Sequence, residues 1–174
     1  DRTHSKRGIF QLRDVIDTVV ALVMPDAANK RISIQTQLDG DIEMDSYPSV
    51  LEQVLLGILN NAMRHAFEGM REGEIRITAL CRNADVVLQV VDNGSGIAPE
   101  HLSKVFDPFF TTRLGQGSSG LGLNIVYNLV SGILGGSVSA TSPSGEGACF
   151  AVTIPLHAPG AVSYTHLRAH ETKA

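Results

Sequence analysis

Residues 86–97 have the sequence Val-Val-Leu-Gln-Val-Val-Asp-Asn-Gly-Ser-Gly-Ile, in which an apolar run leads into an acid and two glycines. Its apolar, β-branched first half predicts a strand that is largely buried on both faces and ends at Asp92. A carboxylate at the end of such a strand needs a partner, and an amino group on a flat heterocycle would supply one. Gly94 and Gly96 would let the ring approach the backbone. The segment therefore predicts either a purine site or an ordinary Asp-Asn-Gly turn.

Composition limits the class of protein. The 174 residues are 43% hydrophobic and 18% charged, which is enough for one domain with a full core. The formal net charge of -4 provides no basic surface, so we expect no nucleic-acid partner. No apolar run approaches membrane-spanning length. Cys81 and Cys149 lie in alternating apolar runs without metal or disulfide spacing, which predicts core positions and a cytoplasmic location.

The rest of the chain supplies helices and further strands. Apolar spacing predicts helices over 11–24, ended by Pro25, and over 49–63, where Ser49 and Glu52 form a capping-box pattern. Further helices are predicted over 100–105 and 121–134, and strands over 31–38, 74–82, 137–142 and 148–156. These elements predict an α+β two-layer sandwich, in which three helices cover one face of a mixed sheet of about five strands.

The helix predicted over 49–63 has a polar edge that runs beside its apolar face and reaches residue 65. Helical periodicity places Gly57, Asn61, Arg64 and His65 along this edge. The amide oxygen of Asn61 can ligate Mg²⁺, Arg64 can bind a phosphate, and Gly57 leaves room for a ligand. The alternative interpretation is a solvated helix face without chemistry.

Residues 111–123 are rich in glycine and hydroxyl side chains and lead directly into a helix. The backbone N–H groups of such a segment form an anion cradle at the helix N-terminus, which predicts a phosphate site. The spacing of Gly115, Gly117 and Gly120 matches a dinucleotide fingerprint, but no strand precedes it and the next acid, Glu146, comes too late. A Rossmann fold is therefore excluded. A P-loop is excluded as well, because no Gly-Lys-Ser/Thr follows.

Three phenylalanines lie within five residues, at Phe106, Phe109 and Phe110. They have no regular period, so they do not predict one face of a helix or strand. They predict either a hydrophobic cluster under a loop or a gating hinge.

Four motifs, in this order, resemble those of the catalytic and ATP-binding domain of bacterial sensor histidine kinases, in the superfamily of gyrase, Hsp90, histidine kinases and MutL. They are the N box at 61–65, the G1 box at 92–97, the F box at 106–113 and the G2 box at 117–123. The resemblance spans about residues 9–157 and implies a Bergerat-type ATP-binding fold. Residues 1–8 would then lead from a missing dimerisation domain, and 158–174 would be a disordered tail or an expression remainder.

The resemblance implies ATP and Mg²⁺ as ligands. Asp92 would bind the adenine amino group, beside Gly94, Gly96 and Ile97. Asn61 would hold the Mg²⁺ ion.

On the phosphate side, the resemblance implies that Arg64 binds a phosphate and that His65 lies beside the nucleotide. The other implied ATP-binding residues form a lid and its hinge, and they are Thr111, Thr112, Arg113, Gly115, Gly117, Ser118, Ser119, Gly120, Leu121, Gly122 and Leu123.

The resemblance also implies protein-histidine kinase activity and two protein partners. In such kinases the γ-phosphate passes to a histidine on a separate dimerisation domain, and then to an aspartate on a response regulator. No histidine followed by an acid precedes Ile9, so the acceptor would lie outside these residues. The fragment would be monomeric, whereas the parent protein would be a homodimer, with any membrane anchor outside the fragment.

Gly57 departs from the family pattern, in which an asparagine is usual in kinases and a glutamate in hydrolytic relatives. Without a carboxylate there, an independent ATPase is disfavoured. Without the asparagine, Mg²⁺ has one expected ligand fewer, and the alternative to an active kinase is a nucleotide-sensing module or a degenerate kinase without transfer activity. A serine kinase acting on a protein partner is a third hypothesis, and the long F box argues against it.

Overall fold

The structure is a computed structural model that describes residues 6–110, 122–143 and 146–159. None of the described helices is long and apolar enough to cross a membrane. In chain order the elements are β1 Gly8–Gln11, α1 Leu12–Asn29, β2 Ile32–Leu38, β3 Glu43–Ser46, α2 Pro48–His65, β4 Gly73–Arg82, β5 Asp85–Asp92, α3 Pro99–Leu102, α4 Gly122–Leu129 with a π-helical turn Val130–Leu134, β6 Ser137–Thr141 and β7 Cys149–Pro155.

The main sheet has five strands in the order β2-β4-β5-β7-β6. β2 runs parallel to β4, and the other three pairs are antiparallel, so the sheet is mixed as predicted. The central strand, β5, lies between β4 and β7. Near its C-terminal end, Asp92 lies opposite Ile75 of β4 and Val91 lies opposite Cys149 of β7. This position places Asp92 at the end of the innermost strand.

The helices in the described part of the chain pack on one face of the sheet. The side chains that α1, α2 and α4 bury join those of the strands in one hydrophobic core, which includes Leu12, Leu55, Val126, Leu88 and Phe150. The predicted α+β two-layer sandwich with three helices on one face is therefore confirmed.

The second face of the sheet is more open than the sequence predicts. Along β5 the buried residues alternate with partly exposed ones, and Val91 is 36% exposed. The expectation that both faces of this strand are largely buried holds for one face only, because no helix among the described residues packs on the second face. Cys81 is exposed rather than in the core, whereas Cys149 is half-buried.

The first helix does not end at Pro25. α1 continues to Asn29 and includes Pro25, which lies on its exposed side. Proline in a helix interior costs about 3 kcal/mol because a hydrogen bond is lost. The turn after Pro25 buries Ala27 completely, and the C-terminal Lys30 N–H still donates to the Asp26 carbonyl at 3.1 Å. The burial of Ala27 and this helical hydrogen bond together offset the local preference to stop.

Two short strands that the sequence does not predict form a second sheet. β1 and β3 pair antiparallel, from Gly8 opposite Ser46 to Gln11 opposite Glu43. Each has four residues, too few to show an alternating pattern.

The two ends of the described chain meet beside this second sheet. The Arg7 guanidinium donates to Asp45 Oδ1 at 3.0 Å and to the Ala158 carbonyl, and the Ala158 N–H donates to the Asp45 carbonyl at 2.9 Å. The hydrogen-bonded structure thus includes Arg7, Gly8 and Ala158, which lie just outside the predicted bounds at 9 and 157. The rest of the predicted tail, 160–174, lies outside the described residues.

Two helix starts also differ from the predictions. α2 begins with Pro48 at its first position after Tyr47, and no side-chain capping bond forms there, so the Ser49–Glu52 capping box is absent. α3 is helical only over Pro99–Leu102. Beyond it the chain makes turns in which Lys104, Asp107 and Phe110 each donate to a carbonyl three residues earlier.

Candidate nucleotide-binding site

Asp92 is a buried acid whose backbone and side chain are both held by the neighbouring strand. Its Oδ1 accepts hydrogen bonds from the N–H of Gly94 at 2.9 Å and of Ala148 at 3.2 Å. Its own N–H donates to the Ala148 carbonyl at 2.9 Å. Both side-chain bonds that Asp92 makes with described residues end on Oδ1, so Oδ2 remains available to an outside donor.

Burial raises the pKa of Asp92, and the two N–H groups that donate to Oδ1 oppose that rise. The two N–H groups thus compensate only part of the free energy that the Asp92 carboxylate loses on burial. A ligand that donates a hydrogen bond to Oδ2 would favour the ionised form. This is the property expected of a group that recognises a donor on a ligand.

The loop 93–97 is anchored at three points outside itself. Asn93 Oδ1 accepts from the Glu74 N–H at 2.8 Å, the Ser95 N–H donates to the Ala66 carbonyl at 2.8 Å, and the Ile97 N–H donates to Ser142 Oγ at 2.7 Å. The second anchor joins the loop to the C-terminal end of α2. The G1 motif and the N motif, predicted separately, are therefore neighbours in space.

The glycines of this loop make room for neighbouring parts of the protein. A Cβ on Gly94 would overlap the Ala66 carbonyl group, and a Cβ on Gly96 would lie 2.7 Å from Ser142 Oγ. Gly96 also has a φ of +81°, which side-chain-bearing residues rarely adopt. Both glycines thus allow the loop to pack between α2 and the β6–β7 hairpin.

The polar edge of α2 is present at the predicted position. Asn61 and His65 are half-buried, and Arg64 is exposed. No described residue forms a hydrogen bond with the Asn61 amide, so its oxygen is available as a ligand.

Gly57 does not border open space. A Cβ there would lie 2.8 Å from Val126 Cγ2 and 3.8 Å from the Gly122 carbonyl oxygen, both on α4. The room that Gly57 was expected to leave for a ligand is occupied by the side chain of Val126.

The phenylalanine segment packs against α4. The Phe106 ring lies 5.9 Å from the Tyr127 ring and 6.1 Å from the Phe150 ring, and the Asn124 side-chain N–H donates to the Phe106 carbonyl at 3.0 Å. The ring of Phe110 contacts the ring of His101 in a tilted arrangement, with the two centroids 5.3 Å apart. Phe109 is different, because it is 68% exposed and has a φ of +65°. The packed-loop interpretation therefore holds for Phe106 and Phe110 only.

Most of the predicted phosphate-side residues lie outside the described part of the chain. They are Thr111, Thr112, Arg113, Gly115, Gly117, Ser118, Ser119, Gly120 and Leu121. Gly122 and Leu123 form the first turn of α4, where Gly122 is exposed and Leu123 half-buried.

The described residues contain no group of three or more histidine, cysteine or acidic side chains that could hold a metal ion by themselves. A Mg²⁺ ion at Asn61 would therefore need oxygens from a ligand, as is usual for Mg²⁺ bound with phosphates.

Two residues of the site were not predicted from the sequence. Ala148 contributes only backbone groups to Asp92, so its side chain carries no signal. Ser142 contributes its hydroxyl to Ile97 from 45 residues away. Only strand pairing brings either residue to the site.

Residues 46–158 match the family described as histidine kinase-, DNA gyrase B- and HSP90-like ATPase. The match covers more than half of the chain, so the chain belongs to this family of nucleotide-binding domains. Among curated relatives, the sensor histidine kinase ZraS of Salmonella typhimurium (strain LT2) is 35% identical over 155 residues, which are 88% of this chain and 32% of ZraS. The chain thus spans about a third of that relative.

Solved structures place the chain within one branch of the family. The catalytic domain of histidine kinase ThkA aligns with a TM-score of 0.78 and 26% identity, over 87% of this chain and 97% of that one. Full-length ShkA in complex with AMPPNP aligns with a TM-score of 0.77 and 27% identity, over 87% of this chain and 31% of that one. ThkA in complex with the response regulator protein TrrA aligns with a TM-score of 0.71 and 26% identity, over 86% of this chain and 41% of that one. The chain is a catalytic ATP-binding domain of the sensor histidine kinase type.

Proposed function

We propose that this domain binds Mg²⁺-ATP and presents its γ-phosphate to a histidine on a separate dimerisation domain. The observation that carries the proposal is the meeting of three motifs on α2. The loop after Asp92 bonds to Ala66 at the end of this helix, and α4 contacts it at Gly57. Asn61, Arg64 and His65 lie on the helix between these two contacts.

Asp92 would recognise the base. Its Oδ1 is held by two backbone N–H groups, which orients the carboxylate and leaves Oδ2 for the exocyclic amino group of adenine. A hydrogen bond to a charged group contributes about 1.5–3 kcal/mol, so this one contact would supply much of the preference for adenine.

Asn61, Arg64 and His65 would serve the phosphates. The available amide oxygen of Asn61 fits one ligand position of Mg²⁺, and Arg64 is exposed at the same edge of the helix. When bound, the ion would neutralise charge on the transferring phosphoryl group. Residues 111–121 stay a prediction for the remaining phosphate contacts.

The arrangement favours transfer to a protein over hydrolysis. Hydrolysis needs a base that activates water, and α2 carries a single acid, Glu52, more than two turns before Asn61. Transfer to a histidine needs mainly positioning and charge neutralisation, since the imidazole is itself the nucleophile.

The partners and location follow from the same proposal. The dimerisation domain of the parent protein would supply the acceptor histidine, and a response regulator would receive the phosphoryl group afterwards. We infer a cytoplasmic domain in a homodimeric parent protein, because its relatives are sensor kinases.

Calorimetric titration with AMPPNP, with and without Mg²⁺, tests the binding half of the proposal. We expect saturable binding that strengthens when Mg²⁺ is present. An Asn61→Ala variant should lose the effect of Mg²⁺ while it keeps binding to the base. Absence of binding by the folded protein would contradict the proposal.

Mixing the domain with its dimerisation domain as a separate chain tests the transfer half. We expect ATP-dependent, acid-labile phosphate on that second chain, as phosphohistidine. An acceptor chain whose histidine is replaced by glutamine is the matched control.

A second function is favoured by one observation. The side chain of Val126 occupies the space at Gly57, so this position can supply no second polar ligand. If AMPPNP binds with equal strength whether or not Mg²⁺ is present and no transfer occurs, the domain is a nucleotide-sensing module that docks a partner.

A further inference from the structure

Ser142, the residue that follows β6, makes two hydrogen bonds with its half-buried hydroxyl. The Ile97 N–H donates to Ser142 Oγ at 2.7 Å, and Ser142 Oγ donates to the Gly147 carbonyl at 3.0 Å. Because an amide N–H can only donate and a carbonyl can only accept, these partners determine the direction of the hydroxyl proton. Ser142 therefore joins the Asp92–Ile97 loop to the β6–β7 hairpin.

The same hairpin holds the other end of the loop. Ala148 exchanges two hydrogen bonds with Asp92, and a Cβ on Gly147 would lie 2.6 Å from Asp92 Oδ1. Gly96 packs tightly on Ser142 Oγ and on the Glu146 carbonyl. The hairpin thus contacts the loop at both ends. At Asp92 the contacts come from backbone atoms, and at Ile97 the hydrogen bond comes from the side chain of Ser142.

We propose that Ser142 is a positioning residue for recognition of the purine base. Its hydroxyl fixes the Gly96–Ile97 end of the loop. The loop therefore keeps one conformation beside the Asp92 carboxylate, and the base meets both in the same geometry. Without the hydroxyl, the Ile97 N–H loses its acceptor and this end of the loop is free to move. The inference rests on the proposed function, because it assumes that Asp92 binds the base.

The test compares two nucleotides that differ at the group Asp92 would read. ATP has an exocyclic amino group, whereas inosine triphosphate has a carbonyl oxygen there. We expect Ser142→Ala to weaken ATP binding by up to about tenfold, the effect of losing one neutral hydrogen bond. Binding of inosine triphosphate should change much less, so the preference for ATP should fall.

Two control variants separate positioning from general stability. Ser142→Thr retains the hydroxyl and should keep the preference for ATP within about threefold of the unchanged protein. Ser139→Ala alters an exposed serine on β6, three residues before Ser142, and should leave the preference unchanged. If Ser142→Ala does not fold, Ser142→Cys, whose thiol is a weak donor, is measured by the same criterion.

Amide hydrogen exchange without nucleotide provides a second readout. In Ser142→Ala the Ile97 amide should exchange faster, while the Ser95 amide, bonded to the Ala66 carbonyl, should keep its protection.

Three outcomes would overturn the role of Ser142: unchanged Ile97 exchange, an equal loss for both nucleotides, or a Thr variant that behaves like the Ala variant. If the unchanged protein binds neither nucleotide, the proposed function itself fails.

Discussion

At the scale of the residue, Asp92 combines burial with incomplete pairing. It is 6% exposed, and its two hydrogen bonds with described residues both use Oδ1. A buried carboxylate in this state costs free energy unless a further donor reaches it. Its Oδ2 atom makes no hydrogen bond with a described residue, so a donor on a ligand could reach it.

Asp92→Asn should weaken ATP binding by about 10- to 100-fold, the value expected for losing a hydrogen bond to a charged acceptor. The fold should persist, because the Asn Oδ1 can still accept from Gly94 and Ala148. Calorimetry gives the affinity, and circular dichroism checks the fold. A folded variant with undiminished affinity would remove Asp92 from the site.

The pH dependence of stability provides a second test of Asp92. Its pKa is raised in the folded state, so the folded protein holds this proton more tightly than the unfolded chain does. The stability of the unchanged protein should therefore fall, relative to Asp92→Asn, as pH rises from the ordinary aspartate range through the raised pKa. Urea denaturation of both proteins over that range measures the difference. A difference that does not vary with pH would contradict the assignment.

At the scale of the element, α2 and α4 approach each other because one side chain is missing. Gly57 has no Cβ, and Val126, which is fully buried, takes that space. The position of α4 beside α2 thus depends on a glycine that propensity alone would disfavour in a helix.

Gly57→Asn should destabilise the domain by about 1–3 kcal/mol, as is typical for overpacking. Adding Val126→Ala should recover part of that loss, giving a coupling of about 0.5 kcal/mol or more in a double-mutant cycle. Urea denaturation of the four proteins measures it.

Gly132→Asn is the matched control for this cycle. Gly132 is exposed in the π-helical turn, with nothing within 4 Å of a Cβ built there, so the same substitution should be nearly neutral. Strict additivity of the Gly57 and Val126 substitutions would show that the two positions do not interact.

At the scale of the whole molecule, the two ends of the described chain are tied at Asp45. Arg7 donates to its carboxylate, and His157 Nδ1 lies 3.9 Å from Oδ2. Arg7 also donates to the Ala158 carbonyl. The segment that precedes β1 is thereby linked to the segment that follows β7, through the strand immediately before α2.

Asp45→Asn should lower stability at neutral pH. The guanidinium of Arg7 lowers the pKa of Asp45 in the folded state, so the stabilisation is present at neutral pH and is lost as pH falls through that lowered pKa. Urea denaturation at neutral and acidic pH should show a deficit that disappears in acid, and high salt should reduce it. Asp41→Asn, at an exposed aspartate, is the control. A deficit of equal size at both pH values would point to a cause other than the ion pair.

The sequence alone determined the two-layer sandwich, the place of Asp92 and the polar edge of α2. These features depend on local periodicity, which nearby residues are enough to reveal. Val86, Leu88 and Val90 alternate as in a strand, and Leu51, Leu55 and Ile58 have helical spacing. The four ordered motifs were enough to indicate the family.

Tertiary structure alone decided the features that depend on contacts between distant residues. The continuation of α1 past Pro25, the pairing of β1 with β3 and the filling of Gly57 by Val126 each involve a partner that local pattern does not reveal. The same holds for Ser142 and Ala148, which reach Asp92 and Ile97 only because β7 pairs with β5. Packing and strand register are long-range properties, so residues far apart in the chain complete the site that one short segment begins.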